Sequence, residues 1–236
     1  MKKTLLLQNF LSQQQDLLNH EDYQALSNEV DDLILKYQGI LEVTGPGIAR
    51  AQKVHEFLNE QNQAFSHVKT SCPKGCGFCC HLEVEITQDD AEALAEEVAR
   101  LNIPLDLERL TNQSQRIRQD AAWAKGAVPE NRCVMLDETN SCRVYEARQT
   151  NCRRLSVVSP VSDCHTPGAS PVSRIIPMTE FFMSGYISIP SLTFGSLSKM
   201  LIPALEKIQI RDQMRSLDFV EENPNKEIDE KQRDLT

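Results

Sequence analysis

The chain lacks both a long apolar segment and an excess of positive charge. No stretch approaches the roughly 18 to 20 consecutive apolar residues of a membrane span. The N-terminus begins with lysines, but its apolar run from Leu5 to Leu7 is too short for the hydrophobic region of a signal peptide. We therefore expect a soluble, cytoplasmic protein without membrane contact. The net charge of −9 argues against nucleic acid as a partner, because phosphate neutralisation needs a basic face.

Strand-like patterns are also scarce, and no internal repeat is present. Alternation of apolar and acidic residues is confined to the segment 82–87, which predicts one short extended segment. Thr87 followed by Asp90 is typical of a helix N-cap with an acid in the first turn. Helical periodicity dominates elsewhere, so we predict a mainly α protein. The predicted helices cover 5–18, a segment ending near Gly39, 48–65, a segment after Thr87, 105–123, 178–186 and 197–210.

Cysteine is abundant. Four of the eight cysteines stand in the segment CPKGCGFCC at 72–80. A chain of 236 residues can bury a core without covalent staples, and dense cysteines in a reducing compartment indicate metal or redox chemistry more often than disulfides. A cysteine nucleophile would need a positioned histidine. His81 and His165 each follow a cysteine directly, but we interpret both as local surface or packing residues. The eight cysteines are Cys72, Cys76, Cys79, Cys80, Cys133, Cys142, Cys152 and Cys164.

The first cysteine segment has the spacing of a metal knuckle. Cys76 and Cys79 are separated by two residues, which lets two sulfurs converge on one point. Gly75 and Gly77 flank the first of them and allow unusual backbone angles. Cys80 directs its sulfur elsewhere, because neighbouring side chains diverge. Two four-ligand sites and one four-ligand site with spare thiols both remain open.

The second cysteine segment is loop-rich and locally positive. Residues 137–140 read as a turn, so Cys133 and Cys142 are predicted to lie opposite each other across a hairpin. Five arginines and three acids occupy 132–154, and this excess of positive charge would offset anionic thiolates. We predict that four residues stabilise thiolate sulfur and orient the loop, although a core aromatic is an equal alternative for the tyrosine among them. They are Arg143, Tyr145, Arg148 and Arg153.

The residues alone do not identify the metal. Sites built only of cysteine suit both zinc and iron–sulfur clusters. The spacing in CPKGCGFC is similar to the signature of radical S-adenosylmethionine enzymes, which favours iron slightly. Those enzymes build the motif into repeated strand–helix units, and this chain has no strand series. We therefore interpret that particular match as coincidental spacing.

Taken together, the cysteine pattern resembles the YkgJ-like cysteine-cluster family of bacterial-type proteins, described as a zinc- or iron-chelating domain. The matching motifs are CPKGCGFCC, EVEITQDDAEALA, CVMLDETNSCRVYEARQTNCR and CHTPG, in that order over about residues 70–168. The resemblance implies that all eight cysteines hold an iron–sulfur cluster or zinc. Gln149 stands where the family usually has proline. From the helical periodicity and the loop-rich cysteine segments we predict a helical domain with a loop-rich cysteine-cluster metal site and little β structure.

The resemblance allows functions other than metal binding alone. The family includes flagellin lysine N-methylases, which implies an iron–sulfur enzyme that uses S-adenosylmethionine. This chain shows no glycine-rich methyl-donor loop after a strand and no evident catalytic base. Another alternative is delivery of metal or a cluster to a client protein. The sequence does not predict an oligomeric state, and whether the protein is an enzyme stays open.

The expected domain organisation follows from these segments. We predict an N-terminal helical region at 1–68 and a cysteine-cluster metal-binding domain at 69–177. C-terminal helices at 178–220 are expected to pack on that domain. The last segment, 221–236, is charged and nearly free of apolar residues, which predicts disorder.

Overall fold

The computed structural model describes residues 1–222 except Lys74 and Pro167, with only the backbone described for 214–222. It confirms a mainly helical protein with little β structure. Residues 221 and 222 end the last helix, and the rest of the predicted disordered tail lies outside the described residues. The helices are α1 (Leu5–Leu17), α2 (His20–Thr44), α3 (Ile48–Ala64), α4 (Gln88–Arg100), α5 (Leu107–Ser114), α6 (Thr150–Arg154), α7 (Ser162–His165), α8 (Pro177–Ser188) and α9 (Leu197–Glu222).

Two short strands and several 3₁₀ turns complete the fold. Strand β1 (Glu85–Thr87) pairs antiparallel with β2 (Phe194–Ser196), with Ile86 opposite Gly195. This pair ties the segment after the first cysteines to the start of α9. No helix within the described part of the chain is long and apolar enough to cross a bilayer. The 3₁₀ turns are Phe78–His81, Ala121–Lys125, Pro129–Asn131 and Tyr145–Ala147.

Helix α2 runs past its predicted end. The expectation that it ends near Gly39 was wrong, because the helix continues to Thr44 and stops only at Gly45, whose φ is +79°. Leu41 lies within the extension and is completely buried with residues of α3 and α8. Burial of apolar surface therefore outweighs the low helix propensity of one glycine.

The predicted helix over 105–123 was also wrong. Only α5 forms there, and the chain turns through Gln119, whose φ is +58°. Asp120 then starts a 3₁₀ turn by accepting a hydrogen bond from the backbone N–H of Ala122 at 2.8 Å. Asn131 holds this turn through its side-chain amide, which donates to the carbonyls of Ala122 and Gly126 at 2.9 Å. The contacts of Asn131 come from outside the predicted helix, so local periodicity did not reveal them.

Two hydrophobic clusters form most of the core. One joins α4, α5 and α9 to the second cysteine segment, with Val134, Met135 and Val144 in its interior. The other joins α2, α3 and α8. The helix N-cap predicted at Thr87, with Asp90 in the first turn, is confirmed; the two residues form a capping box that starts α4. Leu101 follows the C-terminal end of this helix and is exposed.

Helices α2 and α8 approach so closely that a glycine is required between them. A Cβ atom on Gly185 would lie 2.8 Å from the backbone nitrogen of Gln38 and 2.9 Å from the carbonyl oxygen of Ile34. Gly185→Ala should therefore lower the free energy of unfolding by about 1 to 3 kcal/mol through overpacking. Gly39 has open space around its Cα, so Gly39→Ala should raise that free energy by about 0.5 to 1 kcal/mol. Urea denaturation measures both, and equal effects of the same sign would contradict the packing argument.

Candidate metal centre

The first cysteine segment forms a tight knuckle against a neighbouring turn. Gly75 has a φ of +80°, a backbone conformation that favours glycine. Gly77 serves a different purpose, because a Cβ there would lie 3.2 Å from Cβ of Asn140 and 3.3 Å from Cδ1 of Leu136. The two glycines therefore let the knuckle bend and pack closely on the turn of the second segment.

That turn carries the predicted hairpin, with a shifted register. One carboxylate oxygen of Asp137 accepts hydrogen bonds from the backbone N–H groups of Thr139, at 2.8 Å, and Ser141, at 2.9 Å. An antiparallel bridge then pairs Cys142 with Leu136 rather than with Cys133. The hairpin is confirmed, but the residue directly across from Cys142 was predicted wrongly.

One group of sulfurs gathers around this hairpin. The backbone N–H of Cys133 donates to the carbonyl of Cys80 at 2.8 Å, which joins the two cysteine segments. Burial raises the pKa of Cys133 to about 11, and the charges of Cys142 and Cys79 act in the same direction. Burial likewise raises the pKa of Cys152, with further effects from Cys133, Cys79 and Cys142. We call Cys80, Cys133, Cys142 and Cys152 the inner group.

Three other cysteines are linked to Cys79 and to one another by the effects of their charges. Burial raises the pKa of Cys164, and the charges of Cys72, Cys76 and Cys79 raise it further. The sulfur of Cys72 accepts a hydrogen bond from the backbone N–H of Val157 at 3.4 Å. We call Cys72, Cys76 and Cys164, together with Cys79, the outer group.

Cys79 and Cys80 lie where the two groups meet. The Cys80 thiol donates a hydrogen bond to Cys79, which lowers the pKa of Cys79 to about 7 and raises that of Cys80. The charge of Arg148 also lowers the pKa of Cys79. The lowered pKa favours the thiolate form of Cys79, and the thiolate is the form that binds metals.

Two of the four residues predicted to support the sulfurs are Arg143 and Arg148. Their charges act on the cysteines, and Arg143 also holds the backbone of the loop. Burial raises the pKa of Cys142, while the charges of Arg148 and Arg143 oppose this rise. The Arg143 guanidinium donates to the carbonyl of Pro104 at 2.7 Å and to that of Val134 at 2.5 Å. Arg143 thus holds the loop that follows Cys133, and its charge acts on the sulfurs without a direct hydrogen bond to them.

The other two residues have different surroundings. Tyr145 is 55% exposed and lies beneath the Arg148 guanidinium, 4.1 Å from ring centre to Cζ, so its alternative role as a core aromatic was wrong. Arg153 is buried and donates to the side chain of Asn59 at 2.9 Å and to the carbonyl of Glu146. It therefore ties α6 to α3 and to the preceding turn.

The two histidines next to cysteines take local roles, as predicted. His81 contacts the carbonyl of Gly77 through Nδ1 at 3.0 Å. The ring of His165 packs on Phe78 with a centroid separation of 4.6 Å, which brings α7 against the knuckle. Neither contact joins a histidine ring to a sulfur.

The residues that position Cys152 were not predicted from the sequence. Asp90 of the capping box also accepts hydrogen bonds from Thr150 at the start of α6, at 2.8 Å from the hydroxyl and 3.1 Å from the N–H. Gln149 caps the same helix and donates from its side-chain amide to the sulfur of Cys152 at 2.9 Å. Asp90 carried a recognisable capping signal, but its partner lies 60 residues away.

A cavity of about 500 Å³ adjoins the inner group. Its wall includes Cys79, Cys80, Cys133 and Cys152, and it lies between the cysteine loops and the N-terminal helices. A cavity of this size accepts a small organic molecule. The arrangement gives such a molecule access to sulfurs of both groups.

The donors suit a metal in their chemistry, although the sulfurs stand apart here. All eight thiols, which lie within the described residues, are free of disulfide bonds. Among the described residues, no three His, Cys, Asp or Glu side chains converge closely enough to hold one ion. Thiolate sulfur binds zinc and iron–sulfur clusters, so the donor set fits both. Metal binding would draw the sulfurs closer together than they stand in this structure.

This donor set is typical of cysteine-rich metal-chelating domains. Residues 71–167 match the model of the CxxCxxCC family, described as a "putative zinc- or iron-chelating domain". The matched segment includes all eight cysteines, and the resemblance predicted from the sequence is confirmed. Helices α1 to α3, α8 and α9 lie outside the match. No curated protein and no solved structure matches the chain.

Proposed function

We propose that the protein binds iron–sulfur clusters through its inner and outer cysteine groups. The observation that carries the proposal is that all eight thiols are free and lie within the segment that matches the chelating domain, and that Cys79, Cys80, Cys133 and Cys152 line one cavity. Four thiolates are the usual ligand number of a cubane cluster, and each group has four sulfurs. A bound cluster would supply electron transfer or an iron that coordinates a substrate.

Metal analysis of protein purified without oxygen and without added metal tests this proposal. We expect iron with a matching amount of acid-labile sulfide and a broad visible absorption that bleaches on reduction. Zinc without sulfide or colour would contradict the cluster and support closed tetrathiolate sites. Protein free of both metals after purification in sealed conditions would contradict metal binding itself.

The cavity beside four of the cysteines favours an S-adenosylmethionine-using enzyme as a second candidate. An iron with an open position needs a small molecule to reach it, and this cavity borders Cys79, Cys80, Cys133 and Cys152. Titration of the metal-loaded protein with S-adenosylmethionine should then perturb the visible or electron paramagnetic resonance spectrum of the cluster. An unchanged spectrum at saturating concentrations would favour a site whose metals are fully ligated by protein.

A further inference from the structure

The cavity beside the inner group has a mainly apolar wall with unpartnered hydrogen-bond donors. Apolar side chains form much of its surface, among them Leu6 of α1, Leu58 of α3, Val84, Leu155 and Ile176. Four polar side-chain atoms of its lining residues are buried and have no hydrogen-bond partner among the described residues. They are Nε1 of Trp123, Nε of Arg154, Nε of Arg174 and Oγ of Ser196.

These unpartnered atoms are donors, whereas the carboxylates of the wall are already engaged. Glu180 accepts from Arg154 at 2.5 Å and from the hydroxyl of Thr4 at 2.7 Å. Glu85 pairs with Arg118 at 3.0 Å. A buried N–H without an acceptor costs free energy. Acceptor oxygens of a ligand that reached these atoms would relieve this cost.

Arg174 provides the charge that such a ligand would meet. The wall contains Arg118, Arg154 and Arg174, and only Arg174 forms no ion pair with a described residue. Its guanidinium donates instead to the neutral side chain of Asn62. An anionic group beside it would pair with a cation that no carboxylate in the described part of the chain neutralises.

Asn62 also places Arg174 close to the helix that carries Cys152. Its side-chain amide donates to the carbonyl of Arg153 at 3.1 Å, while its oxygen accepts from Arg174. Asn62 therefore brings Arg174 close to the segment that carries Arg154. Glu83, the remaining acid of the wall, accepts a hydrogen bond from the backbone N–H of Gln119.

We propose that this cavity binds a small organic carboxylate with an apolar body. The carboxylate lies at the Arg174 end and accepts hydrogen bonds from that guanidinium, and the body lies along the apolar wall towards Cys80 and Cys133. This inference goes beyond metal binding and does not depend on which metal the cysteines hold. The volume of about 500 Å³ accommodates such a molecule.

Calorimetric titration of the full-length protein, purified without oxygen, tests the proposal with three probes at constant ionic strength. Octanoate should bind saturably with one molecule per chain. Octanamide, which has the same body without the charge, should bind at least tenfold more weakly. Inorganic phosphate, which has charge without the body, should also bind at least tenfold more weakly. The chain has a single tryptophan, and it lines the cavity, so its fluorescence should change on octanoate binding.

Variants of two arginines locate the bound probe. Arg174→Gln should weaken octanoate binding at least tenfold, and Arg174→Lys should weaken it less. Arg100→Gln is the matched control, since Arg100 is exposed on α4 and contacts Glu97 rather than the cavity. Binding that is unchanged in folded Arg174→Gln, or equal affinity for octanoate and octanamide, would overturn the proposal.

Two further outcomes are distinguishable. If Arg174→Gln does not fold by circular dichroism, the comparison of octanoate with octanamide on the unaltered protein decides the question alone. Tighter binding of phosphate than of octanoate would overturn a carboxylate ligand with an apolar body. Metal content measured on the same sample separates the two proposals, because octanoate binding without any metal contradicts only the proposed function.

Discussion

Replacing Asp89 by asparagine should lower the free energy of unfolding by about 3 to 5 kcal/mol, because it leaves a buried arginine without its counter-charge. Arg50 and Asp89 are 3% and 2% exposed. Two guanidinium nitrogens of Arg50 donate to the Asp89 carboxylate at 2.6 and 3.1 Å. The same carboxylate accepts from the N–H of Gly47 at 2.6 Å and from the hydroxyl of Tyr186 at 2.9 Å.

These partners make Asp89 the point where three helices meet. Gly47 precedes α3, Arg50 lies in its first turn, and Tyr186 belongs to α8, while Asp89 begins α4. An asparagine of the same size would keep the packing but lose the charge and part of the acceptor capacity. For a chain of this length the expected loss corresponds to a fall in Tm of roughly 6 to 20 °C.

Urea denaturation of the Asp89→Asn variant and of a matched control measures this effect. The control is Glu97→Gln, which removes an exposed i,i+3 pair with Arg100 and should leave stability nearly unchanged because water screens that pair. A loss of less than about 1 kcal/mol in Asp89→Asn would show that the buried pair contributes little beyond its desolvation cost. Both variants should be compared in the same metal state, since bound metal stabilises the folded form.

Cys164→Ser and Cys142→Ser should each remove part of the bound metal and leave the rest. Cys164 belongs to the outer group and Cys142 to the inner group, so each change removes one ligand from one group only. Loss of a thiolate ligand weakens a four-ligand site severely, because a serine hydroxyl is a poor ligand for zinc or cluster iron. The double variant should lose nearly all of the metal.

Metal content per chain, measured for each variant after purification under the same conditions, checks this prediction. Ser162→Ala is the control, since it changes an exposed residue of α7 and leaves every sulfur in place. Complete loss of metal in either single variant would indicate one shared site that spans both groups. Full retention of metal in both single variants and in the double variant would contradict the proposed role of these cysteines.

Local sequence signals predicted the parts of the fold that depend on neighbouring residues. The helix N-cap at Thr87 and the turn at 137–140 were both correct, because their hydrogen bonds join residues three or four positions apart. Gly39 shows where such signals fail. A glycine lowers helix propensity locally, yet burial of Leu41 against distant residues carries α2 onward to Thr44.

The same distinction applies to the candidate metal centre and its surroundings. The number and spacing of the cysteines, read from the sequence alone, predicted thiolate ligands, because residue type and short spacing are local properties. The sequence left open whether the eight sulfurs form one group or two. The hydrogen bond from the N–H of Cys133 to the carbonyl of Cys80 joins cysteine segments that meet only in the folded chain.

The tertiary structure likewise determined the buried pair of Arg50 and Asp89 and the unpaired cation of Arg174. Arg50 and Asp89 stand 39 residues apart, and Arg174 meets Asn62 across 112 residues. The local sequence around each of these residues has the pattern of an ordinary charged surface position. Burial and pairing arise from contacts between distant segments, and these contacts determine which charges are neutralised and which remain for a ligand.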